Sequence, residues 1–549
     1  MKKLLFGAIV LFNTCLINAQ ENGNFYGGLE SNSQWYQTDE GINFIAPEDQ
    51  FRANNYVTLN YNLGKFTAGL QYESYLPSAL LGYAPVYDGG NDVATYYLNY
   101  KDNSLDITGG YFYEQFGSGL ILRSWEDRQL GINNAFKGVN IKFKATEYLD
   151  FKAVFGRQRN GFEESSGTIQ GLDADLSVSN ALNIDNVDIQ MGLSYVARNQ
   201  DTEGNQALPS TVGAYGGRLD LIFNDFYVGA EAILKDPDAI VIEGQLASNK
   251  LYDGTALLVN AGYATKGLGI NASFRRLENF SFYSDRFAEG NIYNQEVINY
   301  VPALTKQQDY MLTNIYVYNA QSRLIIETYD QRAGEVGAQF DLYYSFKKGT
   351  SLGGKYGTKL AFNFSYWGGL DAEYNIENKW YEAKFIGSGP QLFRDVNLEI
   401  KKTWSKKWSS VFTYQNVLID KGVVQGGSFG KNTIYANIGV IEATRKFNKG
   451  KSARFVAQHL WTDQDRKNWV AGVFEYNFSS KLALYVADNW NYGGLDEIHY
   501  YSVGGSYSKG NARLGLNYGR QRGGLICIGG VCRFVPENTG LSANLTITF

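Results

Sequence analysis

The chain has 549 residues and a formal charge of −5; it carries 61 glycines, 41 tyrosines and 33 phenylalanines but only 8 prolines, 3 methionines and 2 histidines. It lacks a basic tract, which excludes nucleic acid as an expected partner. A soluble chain of this length would divide into several domains with separate cores, and no change of texture marks such a division.

The first residues read MKKLLFGAIVLFNTCLINAQ: two lysines, a short apolar run, then Asn18-Ala19 before Gln20. This predicts a secretory signal peptide over 1–19, cut after Ala19. A membrane anchor would need about 20 apolar residues, more than the run supplies. The residues before Cys15 make a poor lipidation site. No later stretch is apolar enough for a membrane helix.

From residue 20 onward one pattern repeats: about ten residues of alternation, a tight polar turn, a second alternating run, then a looser loop. The first strand, FYGGLESNSQWY, begins by Phe25, which leaves no room for a large N-terminal plug of the kind that energy-coupled barrels carry. Any transport should therefore be passive. In VTLNYNL, Val57, Leu59, Tyr61 and Leu63 share one face, with Thr58, Asn60 and Asn62 opposite; Gly64-Lys65 turns the chain into Phe66, Ala68, Leu70 and Tyr72. A later hairpin sets Val139, Ile141 and Phe143 outward, and Asn140, Lys142 and Lys144 inward. Its return strand points Leu149, Phe151, Ala153 and Phe155 outward, with Asp150 and Lys152 inward. These inward charges can pair or meet water, whereas a lipid-facing charge at the midplane would cost about 2–4 kcal/mol.

Further short turns are expected near 102–103, 146, 181, 224–225, 265–267, 349–358, 405–407, 448–451, 479–481 and 509–511. About eleven turns, with one strand left at each end, predict about 24 strands. The fold class is therefore all-β: one large antiparallel transmembrane β-barrel over 20–549, with short periplasmic turns and longer extracellular loops. The main inserted loops are expected at about 117–131, 278–332 and 521–540.

Those loops hold the candidate functional residues. YFYEQFGSGLILRSWEDRQLGINNAFKGV carries Arg123, Glu126, Asp127 and Arg128. Such a loop can simply be solvated outside the cell. Folded inward, its charges would form a pore constriction that selects solutes by charge and size. Leu120, Ile121 and Leu122 need cover, which favours the inward fold. The long interval from Asn279 to Glu335 reads as a lid, a pore-narrowing segment or an extra hairpin. His459 and His499 sit beside aromatic residues on strands, without a nucleophile motif, so no enzyme activity is expected. In GGLICIGGVCRFVPENTG, Cys527 and Cys532 flank two glycines and predict a local disulfide that shapes the last loop. Two cysteines with two distant histidines supply too few ligands for a metal, and no cofactor is expected.

The chain closes with GLSANLTITF, which alternates Leu541, Ala543, Leu545, Ile547 and Phe549 with polar residues. A terminal aromatic on the last strand of a barrel resembles the signal read by the outer-membrane assembly machinery, so Phe549 is the candidate assembly signal. ESNSQWY, FRANNYVTLNYNLGKFTAGLQYESYLP, FGSGLILRSWEDRQLGINNAFKG and CIGGVCRFVPENTGL together resemble an uncharacterised, porin-like outer-membrane barrel family of Bacteroidetes. The resemblance implies an outer-membrane location and brings no substrate or site. The expected function is a passive channel for small hydrophilic solutes. The alternative is a non-transporting barrel subunit, a scaffold in an export or assembly complex. Expected partners are outer-membrane lipid, the assembly machinery and an unidentified protein.

Overall fold

The computed structural model describes residues 23–202, 204–242, 245–288, 294–426 and 432–549; the signal peptide expected at 1–19 lies outside them. Twenty-four long strands follow one another in chain order. The first eight are β1 Asn24–Gln37, β2 Phe51–Leu63, β3 Phe66–Tyr75, β4 Asn91–Lys101, β5 Leu105–Phe112, β6 Phe136–Lys144, β7 Leu149–Asn160 and β8 Glu163–Ser177. The next eight are β9 Asp188–Asn199, β10 Thr211–Phe223, β11 Phe226–Ile242, β12 Gln245–Thr265, β13 Leu268–Glu278, β14 Gly334–Phe346, β15 Thr358–Gly369 and β16 Gln391–Thr403. The last eight are β17 Trp408–Asp420, β18 Thr433–Lys446, β19 Ser452–Trp461, β20 Trp469–Asn477, β21 Leu482–Trp490, β22 His499–Lys509, β23 Ala512–Gln521 and β24 Asn538–Thr548.

Each strand pairs antiparallel with its neighbours in sequence, and β24 closes on β1 from Gly28↔Thr548 to Gln37↔Thr539. A closed sheet has no edge, which is the condition for strands to cross a bilayer. The eleven short turns fall at the expected places. Gly64 and Gly510 take left-handed φ values of 58° and 59°, a conformation that suits glycine in two-residue turns.

The outer face carries the apolar set of each strand. Phe155, Leu172, Leu193, Ile441, Val486 and Val503 all lie exposed on it, as lipid-facing positions do. Rings gather at both rims. At the turn end Phe25 meets Tyr61 at 4.8 Å, Phe66 meets Tyr100 at 5.1 Å and Phe226 meets Tyr263 at 4.6 Å. At the loop end Tyr195 meets Tyr215 at 5.1 Å, and Trp490 stacks on His499 at 5.0 Å. These are the two aromatic girdles of a membrane barrel.

On the inner face the inward lysines of the β6–β7 hairpin find acidic partners, as expected. In the β6–β7 register Lys144 stands opposite Asp150, while Lys142 stands opposite Lys152. Lys142 pairs with Glu114 of the preceding loop at 2.8 Å, and Lys152 with Asp173 of β8 at 3.4 Å. Among its described residues the Asn279–Glu335 interval adds no barrel hairpin. It carries a 3-10 turn, Leu312–Asn314, and a two-residue ladder of Ile325–Ile326 with Gln331–Arg332.

Candidate functional site

The lumen is the site, and two loops occupy it. The 113–135 loop leaves β5 and doubles back through two miniature ladders, Gln115–Phe116 with Leu122–Arg123 and Glu126–Asp127 with Ile132–Asn133. Phe116, Leu120, Ile121 and Leu122 are buried in one cluster with Val154, Ile169, Val196 and Val212 of the wall. The tip reaches deep. The Ser118 amide donates to Glu231 at 3.1 Å, and Lys152 donates to the Gln115 carbonyl at 3.4 Å. Both wall residues lie in the turn half of their strands.

The 279–333 segment crosses the rest of the lumen. The Trp367 indole donates to the Leu304 carbonyl at 3.1 Å, and Lys306 reaches the Tyr343 hydroxyl at 3.3 Å. Tyr310 then donates to Glu442 at 3.3 Å, and the Leu312 amide to Gln458 at 3.0 Å. Tyr343 and Glu442 stand near the turn ends of β14 and β18, so this segment also descends most of the barrel. Leu312, Tyr316 and Tyr318 are buried in one cluster with Ile434, Ile438, Val440 and Trp469.

The two loops are fastened to each other. Arg123 donates its amide to the Ile298 carbonyl at 2.8 Å, and Tyr300 returns one to Gly119 at 2.9 Å. A third element covers the joint. Cys527 and Cys532 form a disulfide across the hairpin Gly524–Ile528 with Val531–Val535. Ala303 donates to the Gly530 carbonyl at 2.8 Å, and Asn294 to the Cys532 carbonyl at 3.0 Å.

The four candidate constriction residues lie together in this assembly, each with partners. Arg128 pairs with Glu30 at 2.8 Å and with Glu126 at 2.9 Å, and its guanidinium lies 4.4 Å from the Tyr56 ring centre. Glu126 also accepts from Gln71 at 2.9 Å. Asp127 caps the turn by accepting from the amides of Gln129 and Leu130, both at 2.8 Å. Arg123 stacks 3.9 Å from the centre of the Tyr300 ring. These charges pin the loop to the wall and to the neighbouring segment. The transverse field that unpaired charges would create is correspondingly reduced.

Two buried ion pairs anchor the assembly, and sequence reading did not single them out. Arg159 meets Glu73 at 2.5 Å, and Arg275 meets Glu335 at 2.6 Å; all four side chains are shielded from solvent. Glu335 also accepts from the Tyr318 hydroxyl at 2.6 Å, while Arg275 donates to the Pro302 carbonyl at 2.6 Å. Within the descending segment, burial and then the charge of Asp285 push the Glu296 carboxyl up to about 7. Beneath Ser118 the wall keeps a polar cavity of about 370 Å³, lined by Lys152, Asp175, Arg218, Glu231 and Asn260 among others.

The histidines stand apart from this assembly. His459 shares the outward parity of Phe455 and Trp461, 4.3 Å from the Trp461 ring, and His499 pairs with Asp488 at 2.7 Å. Phe549 lies at the closure seam. It exchanges backbone bonds of 2.8 and 3.0 Å with Gly27. A Cβ on Gly27 would come 2.3 Å from the Thr58 carbonyl, so only glycine fits there.

Fold and lumen together define an outer-membrane-type β-barrel of 24 strands whose interior is occupied by its own loops. The chain belongs to the family of unknown function DUF6029, whose model matches residues 1–549. No curated protein sequence matches it. Among solved structures it is similar to the P pilus usher (PapC) translocation pore, at 8% identity over 96% of this chain and 99% of that one, with a TM-score of 0.42. It is similar to the siderophore receptor PirA from Pseudomonas aeruginosa at 10% identity, over 97% of this chain and 81% of that one, with a TM-score of 0.42. It is also similar to Pseudomonas aeruginosa OpdK with vanillate at 12% identity, over 80% of this chain and 99% of that one, with a TM-score of 0.34. Likenesses at these scores carry no functional argument.

Proposed function

We propose that the protein is an outer-membrane channel that passes small hydrophilic solutes passively, with its inward loops setting the width of the path. On this reading the signal peptide exports the chain, Phe549 helps the assembly machinery recognise it, and the short turns face the periplasm. The barrel performs no chemistry of its own. The observation that supports the reading is the depth of the two loops beside a wall that keeps polar, water-sized space, as in the cavity below Ser118.

The decisive variant follows from register. Phe112 and Phe136 pair directly across β5 and β6. The 113–135 loop can therefore be replaced by an Asn-Gly turn without moving the wall. In planar bilayers the parent should give small conductance steps and the variant larger ones. If neither conducts, the channel reading fails. The apolar packing inside the lumen favours a second reading, a non-conducting scaffold for a protein partner. Silence in both variants together with a stoichiometric co-purifying protein would select it.

A further inference from the structure

The lumen wall and the inward segment bring a cluster of cations together around one carboxylate. Arg198 of β9, Lys235 of β11, and Arg286 and Arg323 of the 279–333 segment line one cavity of about 50 Å³. Asp238 is the carboxylate in that lining, and the two guanidiniums of Arg198 and Arg286 share it, at 2.7 and 2.8 Å. Among the described residues, Asp285 also acts on Arg198 and Asp253 on Lys235. Asp285 is engaged elsewhere, accepting from Gln200 and Ser166 at 2.7 Å each. Lys235 uses one of its three donors on the Ser281 carbonyl at 3.0 Å, and Arg323 donates to the Val241 carbonyl at 3.4 Å.

The arginine side chains of this cluster at positions 198 and 286 are only 1% exposed. Even so, Arg198 Nε and Arg286 Nη1 are buried donors without an acceptor among the described residues. Folding does not ordinarily strand such groups, because each buried, unmatched charge-bearing donor is costly. The cavity they line exceeds the space one water needs. A compact group with several acceptor oxygens and a negative charge would satisfy both donors at once.

We propose that this cavity is a binding site for a small oxyanion group, phosphate or carboxylate, held between the wall and the inward segment near the loop end. Arg198 Nε and Arg286 Nη1 donate to it, and Lys235 supplies a further positive charge. Because the site lies between β9, β11 and the 279–333 segment, an occupant fastens that segment to the wall. The inference is independent of conduction: a barrel that passes nothing still has the site.

The test is isothermal titration of the full purified barrel in detergent, in low chloride, with inorganic phosphate, acetate and glucose as separate probes. Saturable binding of phosphate or acetate is expected, with no response to glucose; which of the two binds more tightly identifies the preferred group. R198Q and R286Q should each weaken binding about ten-fold or more. R466Q, which alters a distant loop arginine paired with Glu537, should leave it unchanged. D238N removes the competing carboxylate and should tighten binding several-fold, which keeps the test open if an arginine variant does not fold. Absence of saturable binding to both anions would overturn the proposal. So would equal affinity in R198Q and R286Q, an equal response to glucose, or weaker binding in D238N.

Discussion

Removing the charge of Glu73 tests whether the lumen assembly is dry at the loop end of the wall. Glu73 Oε2 accepts from Arg159 at 2.5 Å and from the Tyr75 hydroxyl at 2.8 Å, while Oε1 accepts from Gln71 at 2.8 Å. The Arg159 and Glu73 side chains are 0% and 1% exposed. Arg159 Nε and Nη1 have no other acceptor among the described residues, so the guanidinium depends on Glu73 for its neutralisation. In E73Q a buried cation would face an amide. Breaking a buried pair from one side costs about 3–5 kcal/mol. Urea titration of the refolded barrel, followed by tryptophan fluorescence, should show a loss of that size. Protease should also cut the 113–135 loop more readily, because Asn133 and the Gln71–Glu126 bond depend on the same cluster. The double variant E73Q/R159M removes both charges and should recover much of the loss. A deficit in E73Q no larger than the ~1 kcal/mol of an exposed pair would mean that lumen water reaches Arg159, and the argument for a dry anchor would be refuted.

Other outcomes follow from the same geometry. C527S/C532S removes a cross-link that closes a very short loop, so the chain-entropy loss should be about 2 kcal/mol; thermal unfolding with and without reductant checks this, and complete failure to fold would contradict it. Glu296 takes up its proton near pH 7 in the folded barrel, well above its usual value. The folded state therefore holds more protons than the unfolded one from about pH 4.5 to 7, and the stability tied to this group is full below that window and lost as pH rises through it. E296Q should flatten that part of the parent's pH–stability curve, and identical curves for the two proteins would exclude the assignment. Deleting Phe549 removes the bonds that seat the last residue on Gly27 and should lower the amount of assembled barrel in the outer membrane, measured by heat-modifiable mobility on gels.

The wall was legible because its physics is local. A period of two, bounded by turn residues, decides each strand from about ten residues. Gly64-Lys65 and 224–225 are therefore as clear in the sequence as in the structure. The inward fold of the 113–135 loop was also within reach, since Leu120, Ile121 and Leu122 cannot remain in water. The partners of Arg123, Glu126, Asp127 and Arg128 were not. Arg128 meets Glu30 across 98 residues and Arg159 meets Glu73 across 86, and no periodicity carries that information. The interval after Asn279 was ambiguous for the same reason: its order comes from the walls it touches. The four cations around Asp238 went unnoticed because they are single residues scattered over two strands and one loop.

One signal of the lumen assembly was nonetheless present in the strands. An inner wall that faces water should be polar at every second residue, as Thr58, Asn60 and Asn62 are on β2. On β18 the inward set begins Ile434, Ala436, Ile438 and Val440, all at most 2% exposed, and turns polar only at Glu442. Val196 on β9 and Val212 and Ala214 on β10 repeat the departure on another part of the barrel, all fully buried. Apolar residues on both faces of a membrane strand mean that something other than water lies inside. Here the first group packs under the 279–333 segment, and the second lies where the 113–135 loop and the 279–333 segment meet. A barrel of this circumference would otherwise enclose a wide aqueous lumen. The inward apolar patches allow the chain to fill much of that space with its own insertions, and they mark the strands where the filling is fixed.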